Sequence, residues 1–509
     1  MIAFITDIGG SMKRMLRVLA VLLLLLLGVL LFNAWRVSTD PPIVDRVNIA
    51  LDRDALAQRL GAALAIPTLN PTAAAPGFER FFELHALLQS QFPRVHAELE
   101  HEVVAEASLL YRWRGRERCP ALLLAAHQDV VPVEAATEAS WSHAPFSGAV
   151  ADGAIWGRGA IDDKASLLAI LEAVELALTD RLTPRCDVYL AFGHDEEVSG
   201  LHGAAAIARL LAARGVQLDF VLDEGGAITL GAVPGTPAPL ATIGVAEKGY
   251  VSVRLIASDA GGHSSMPPRR TAIGRLARAV ARLEESRPEA AFSPVQRELL
   301  HRIAGSAAPF PRIALANLWL TAPLVERMLA RTPASDATLR TTTAPTLFHA
   351  GVKDNVLAQK AEAVVNFRIR LGDSVAGILA HVRETIDDAA IDVSAESGFL
   401  SEPTAVPASW DDTAFLRIEQ VLRRVSPERD LVVAPFVTSG GTDARHYAAL
   451  TPRLYRFLPA TLTPELLAAF HGNNERIPVD EYLRMVRFYR LLLQTMSDPA
   501  ELAAGAGAL

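Results

Sequence analysis

Cysteine is almost missing from this chain, with only Cys119 and Cys186 in 509 residues, and that scarcity excludes a scaffold built from disulfides. Each cysteine stands just before an apolar run that reads as a strand. Two buried thiols are therefore the expectation, with a bridge between neighbouring strand starts as the alternative. Excess positive charge is lacking too: 49 Lys and Arg face 57 Asp and Glu, giving a formal net charge of -8 and a pI near 5.9. This argues against nucleic acid as a partner, because that affinity rests on clustered cations neutralising phosphates. There is no phosphate cradle and no internal repeat. With 50% hydrophobic and 21% charged residues, the composition is that of a globular protein, and the length predicts two or three folding units.

Only one apolar run is long. Val18 to Phe32 is uninterrupted, continues through Asn33 and Ala34 to Trp35, and follows Lys13, Arg14 and Arg17. Retained positive charge on the cytoplasmic side would leave the rest of the chain on the periplasmic or other extracytoplasmic side. The run is short for a spanning helix and also resembles the core of a secretory signal. In the absence of a clean small-x-small cleavage site, an uncleaved membrane anchor is the expectation and a secreted protein the alternative.

Residues 1–45 are thus read as anchor and linker. From residue 46 to 247, apolar strands alternate with helices, which implies βαβ units and a mainly parallel sheet, an α/β catalytic domain. Residues 248–395 change pattern to a small inserted α+β (βαββαβ) layer. Within that layer, residues 286–345 read as an elaboration of the lid. The α/β pattern returns over 396–497, and 498–509 form an Ala/Gly-rich tail.

Four segments, three apolar strand ends and one helix start, present polar side chains. LLLAAHQDVVPV ends in His127 with Asp129 two residues on, facing the same way in an extended segment. That suits a metal ligand and the carboxylate that orients it, or a solvated His beside a capping Asp. AIWGRGAIDDKASLL carries Asp162, Asp163 and Lys164 at a helix start. The helix dipole favours acids there whatever their role, but it does not explain the preceding Gly157-Arg158-Gly159. VYLAFGHDEEVSG ends in Asp195, Glu196 and Glu197, three adjacent acids that are costly unless cations or water compensate them. Ligand sites in α/β sheets lie at such strand ends. FVLDEGGA supplies Asp223 and Glu224, and AAFHGNNERIP places His471 in a polar turn far along the chain.

This ordered set resembles the aminoacylase and carboxypeptidase family of two-zinc hydrolases, particularly its carboxypeptidase S and N-fatty-acyl-amino-acid hydrolase branch, from about residue 50 to 495. His127 to Asp162 and Asp162 to Glu197 are each 35 residues apart, as that branch leads one to expect. The resemblance implies a zinc-peptidase catalytic domain with an inserted lid and dimerisation domain. It implies two Zn²⁺, with Co²⁺ or Mn²⁺ as substitutes: His127 and Asp223 on one, Glu197 and His471 on the other, Asp162 on both. Asp129 would orient His127, and Glu196 would be the general base. Glu224 replaces Asp223 if the register of the FVLDEGGA strand is off by one.

The same resemblance assigns His263 of GGHSSMPP to the carbonyl oxygen in the transition state, often from a partner subunit, which implies a homodimer through the lid. Asn355 and Arg368 match lid positions that hold substrate, and a strand-borne Arg can bind both oxygens of a carboxylate. Thr442 and Arg445 of SGGTDARHY belong to a glycine-rich loop assigned to substrate shaping. The implied reaction is hydrolysis, and in reverse condensation, at an amide next to a free carboxylate in a peptide or an N-acyl amino acid. An inactive scaffold of the same fold, an aminopeptidase and a phosphodiesterase are the alternatives. Glu196 beside Glu197 speaks against the scaffold; Arg368 and His263, with no phosphate cradle, speak against the other two.

Overall fold

A computed structural model describes residues 2–37, 44–73, 75–231, 233, 235–396, 399–406 and 412–497, with only the backbone for 2–13. The tail 498–509 and part of the linker lie outside the described residues. The strands that matter for the site are, in chain order, β1 (Glu100–Val104), β2 (Ser108–Trp113), β3 (Ala121–His127), β4 (Val188–Gly193), β5 (Leu218–Thr229), β6 (Leu240–Glu247), β7 (Gly249–Ser258), β8 (Thr342–Ala350), β9 (Lys360–Ile369), β10 (Ile391–Ala395), β11 (Val432–Thr438) and β12 (Leu454–Leu462).

Eight of them form one mixed sheet in the order β1-β2-β4-β3-β5-β12-β6-β11. Its centre is parallel: β3 pairs in parallel with both β4 and β5, and β12 with β5. Strands β3 and β4 are buried at every position, as expected of parallel strands covered on both faces. The helix Lys164–Thr179 packs on one face with Val479–Ser497, and Ala204–Ala213 covers the other. The second sheet, β8-β9-β7-β10, is antiparallel. With Ala272–Glu285 and Val375–Ile386 it encloses a separate small core. Its chain order, strand, helix, two strands, helix, strand, makes it the inserted α+β layer.

Three expectations are corrected. The segment 286–345 does not elaborate the lid core: its helices Pro294–Ala304, Pro309–Leu315, Leu318–Leu329 and Pro333–Leu339 share a core with Leu240 and Ala434 of the main sheet. The reason is local, since β6 and β11 end the sheet and need cover along their flank. The N-terminal helix is also longer than its apolar run, spanning Ile2–Arg36. Its 23-residue stretch Arg14–Arg36, within which an 18-residue window reaches a mean hydropathy of 2.9, is about 34 Å long and can cross a hydrocarbon core of about 30 Å. Finally, Cys119 and Cys186 are joined in a disulfide and neither is fully buried. They stand at the starts of neighbouring parallel strands, where their Cα atoms are 5.4 Å apart.

That bridge closes a loop of 67 residues and restricts the unfolded chain accordingly. Replacing both cysteines with serine is expected to lower the free energy of unfolding by about 2–4 kcal/mol, read from denaturant titrations with and without reductant. The reductant should weaken the wild type and leave the double variant unchanged.

Candidate active site

Buried strand β3 delivers His127 at its last position, with the ring almost fully enclosed. Nδ1 lies 2.9 Å from the backbone carbonyl of Asp129 and donates to it, which leaves the Nε2 lone pair facing outward from the strand. The Asp129 carboxylate is farther, at 3.3 Å, and serves mostly elsewhere. It accepts from the amides of Glu196 and Glu197 at 3.2 and 3.0 Å and from Asn70 at 2.6 Å. Asp129 thereby ties the acidic turn after β4 to the end of β3.

Asp162 lies between two imidazoles. Its Oδ1 is 2.8 Å from His127 Nε2 and its Oδ2 is 2.7 Å from His471 Nε2. Glu224 Oε1 is 3.4 Å from His127 Nε2, and Glu197 Oε2 is 3.4 Å from His471 Nε2. Two donor sets result, His127–Asp162–Glu224 and Asp162–Glu197–His471, sharing one carboxylate, with the ligand atoms of each within 4.8 Å of one another.

The FVLDEGGA strand differs from expectation. Asp223 does not join the cluster: its two oxygens accept from the amides of Glu224 and Ala444 at 3.0 and 2.6 Å. The cause is a bulge in β5. Asp223 pairs with Arg456 and Gly226 with the next residue, Phe457, so Glu224 and Gly225 are extra. Gly225 takes φ +137, a conformation that glycine tolerates, and Glu224 turns toward His127.

His471 reaches the cluster because its turn is fastened to the Asp162 loop by a pair that sequence reasoning missed. Glu475 is fully buried; its Oε1 accepts from the amides of Gly159, Ile161 and Asp162, at 3.1, 2.8 and 3.2 Å. Its Oε2 accepts from Arg158 at 2.7 Å, and Arg158 also donates to the carbonyls of His471 and Gly472. Arg158 and Glu475 are each within five residues of a motif, which was the available signal.

Electrostatically the cluster is starved of positive charge. Burial opposes protonation of His127, but Glu224, Asp129 and Asp162 outweigh it and raise its pKa well above the usual value. Hydrogen bonds to Asp162 and then Glu197 push His471 up to about 10. Burial holds the Glu196 carboxyl well above the ordinary range, and Asp443 and Asp162 add to that. Glu197 Oε1 is buried with no hydrogen-bond partner among the described residues. Imidazole and carboxylate donors converging without thiolate, one acid oxygen left over, fit divalent cations of the zinc type.

Asp162, Glu196, Glu197, Glu224 and His471 open into a cavity of about 660 Å³. Arg368, Thr442 and Arg445 line it as well. Arg368 stacks on Tyr250 at 4.6 Å and Arg445 on Phe399 at 4.3 Å, with the two aromatic rings 5.6 Å apart. No carboxylate pairs with the Arg368 side chain among the described residues. Thr442 spends its hydroxyl on Glu247 at 2.7 Å, so it anchors the glycine loop. His263 and Asn355 do not line the cavity. They lie together and exposed, the amide of Ser264 donating to the Asn355 carbonyl at 3.2 Å.

A family model described as peptidase family M20/M25/M40 matches residues 123–495. The chain belongs to that family. It is 38% identical over 489 residues to a probable carboxypeptidase S-like protein of Dictyostelium discoideum, covering 94% of this chain and 92% of that one. It is 40% identical over 459 residues to an N-fatty-acyl-amino acid synthase/hydrolase of Homo sapiens, covering 88% and 89%. The fold is that of an M20 family metallo-carboxypeptidase from Sulfolobus solfataricus, with a TM-score of 0.64 at 17% identity over 87% of this chain and 99% of that one. This M20 chain is accordingly a metallohydrolase of amide bonds.

The bulge makes a sharp distinction between neighbours. Glu224→Gln is expected to lose bound metal, measured by elemental analysis of the purified protein. Asp223→Asn should retain the metal and lose about 1–3 kcal/mol of stability through its two buried amide contacts.

Proposed function

We propose that this chain is a membrane-anchored, two-zinc amidohydrolase that cleaves an amide bond next to a free carboxylate, in an N-acyl amino acid or at the C-terminus of a peptide. The observation that carries the reading is the shared carboxylate of Asp162 with a histidine at each oxygen and one further acid beside each histidine. His127 and Glu224 would hold one cation, Glu197 and His471 the other, and Asp162 both. Two such cations supply an acidified water nucleophile and polarise the scissile carbonyl.

The chain's own groups do the rest. Glu196 takes a proton from the attacking water and returns it to the leaving nitrogen. Asp129 holds the amides of Glu196 and Glu197 and so fixes the base relative to His127. Arg368, with Arg445 across the cavity, receives the substrate carboxylate. Support comes from the aromatic rings beneath each guanidinium, which pre-set these side chains and leave their N–H groups for a ligand. The cavity wall also offers Val198, Phe399 and Phe470 to the apolar part of a substrate. The two relatives differ by name in substrate yet both require such an amide, so both classes stay within this proposal.

His263 and Asn355 act in the site of a second copy. Strand β8 is a free edge of the lid sheet, and Leu347, Phe348, Val352 and Val356 are exposed along and beside it. An apolar sheet edge of this kind favours pairing with another chain. The N-terminal helix spans the bilayer and the catalytic domain lies on its extracytoplasmic side, consistent with the basic residues that precede the apolar run.

Glu196→Gln is expected to keep its metal and lose about three orders of magnitude in kcat, assayed on zinc-loaded protein with a panel of N-acyl amino acids and dipeptides. Failure of the wild type on every panel member would contradict the proposed reaction. Arg368→Ala should raise KM for carboxylate substrates by about tenfold to a hundredfold and leave substrates with an amidated carboxyl unaffected, since it removes a charge-assisted contact of about 1.5–3 kcal/mol.

A further inference from the structure

The helical insert of residues 286–345, which packs on the main sheet, carries apolar side chains on the wrong side for a protein surrounded by water. In the helix Leu318–Leu329, LWLTAPLVERML, positions 319, 320, 323, 324, 327 and 328 form one stripe along the helix, and all six are exposed. Trp319 is 62% exposed, Leu324 56% and Met328 50%, and Phe310 on the preceding helix is 86% exposed. The opposite face is apolar as well: Val325 is buried, and Ala322 and Leu329 pack on the insert core. Apart from Thr321 and the Glu326–Arg327 pair near its end, the helix is apolar on both faces, which calls for a non-aqueous neighbour on each side.

Contacts with the N-terminal helix identify the outer neighbour. Asn317, fully buried and N-terminal to this helix, donates to the carbonyl of Leu30 at 3.1 Å and accepts from Asn33 at 2.8 Å. Ala34 is buried and Val37 packs on the insert core. The insert is thus bolted to the last turns of the apolar Arg14–Arg36 stretch, the level at which a spanning helix leaves the hydrocarbon. Trp35 and Arg36 of that helix, and Trp319, Arg327 and Arg331 of the insert, are all exposed. Tryptophan rings and arginines around an apolar stripe are the composition of a bilayer interface, where the rings sit at headgroup level and guanidinium groups reach phosphates.

We propose that the helix Leu318–Leu329, with Phe310 beside it, lies in the membrane interface as a second contact with the bilayer, so that the catalytic domain is held in a fixed orientation at the lipid surface. The inference rests on the reading of the N-terminal helix as a retained anchor, and the experiment separates the two. Full-length protein is reconstituted into phosphatidylcholine–phosphatidylglycerol vesicles after single substitutions Leu24→Cys, Leu324→Cys or Met328→Cys and labelling with an environment-sensitive fluorophore. The native cysteines are bonded to each other, so only the introduced thiol reacts. All three positions are exposed, so the substitutions leave the core intact. Each label is then challenged with spin-labelled lipid and, separately, with aqueous iodide.

The expected result is that spin-labelled lipid reduces emission about twofold or more at all three positions while iodide has little effect. Lipid quenching at position 24 combined with iodide quenching at 324 and 328 would overturn the interfacial helix and leave the anchor standing. Protection of 324 and 328 from both quenchers would also overturn it, because protein, such as a second copy, would then cover the stripe. Absence of lipid quenching at position 24 would remove the anchor and the proposal with it.

Discussion

One carboxylate with a histidine nitrogen at each oxygen is the arrangement on which the site depends. Asp162 is nearly buried and lies 2.8 and 2.7 Å from the two Nε2 atoms. Those nitrogens come from residues 35 and 309 positions away in the chain. The geometry survives because Glu475 gathers three backbone amides of the Asp162 loop on a single oxygen while Arg158 grips the His471 turn. Removing one member of such a buried pair costs about 3–5 kcal/mol, so loop and turn stay registered to each other. Catalytic geometry and local stability therefore rest on the same ion pair.

The remaining acids are presented by the sheet. Parallel β3 and β4 end side by side at His127 and Gly193, which brings Glu196 and Glu197 next to His127. Asp129 locks that neighbourhood through their amides. The lid contributes from the opposite wall, where β9 carries Arg368 over Tyr250 of β7. A concentrated acidic centre on one side and two aromatic-backed cations on the other give the cavity a polarity matched to a substrate with a reacting amide near a terminal carboxylate.

Much of this was legible in the sequence. Apolar strands running into His127 and the Glu196–Glu197 pair are local patterns, and the return of α/β periodicity after residue 396 placed His471 in the catalytic domain. What was not legible depends on tertiary register. That Glu224, and not Asp223, lies beside His127 depends on the β5 bulge, whose partner Arg456 is over 200 residues away. Asn70 acts through the side chain of Asp129, and Glu475 through backbone amides and the Arg158 guanidinium, partnerships that depend on the fold and not on local pattern. The disulfide hinged on two strand starts being neighbours, which spacing along the chain does not reveal. The insert was assigned to the lid because it lies between lid strands, yet it covers the far edge of the main sheet, where Leu240 and Ala434 needed burial.

The most direct test is crystallographic: anomalous scattering at the zinc edge from zinc-loaded protein. The account predicts two peaks flanking Asp162, one contacting His127 and Glu224 and the other Glu197 and His471. A single peak, or a peak coordinated by Asp223 in place of Glu224, would contradict it.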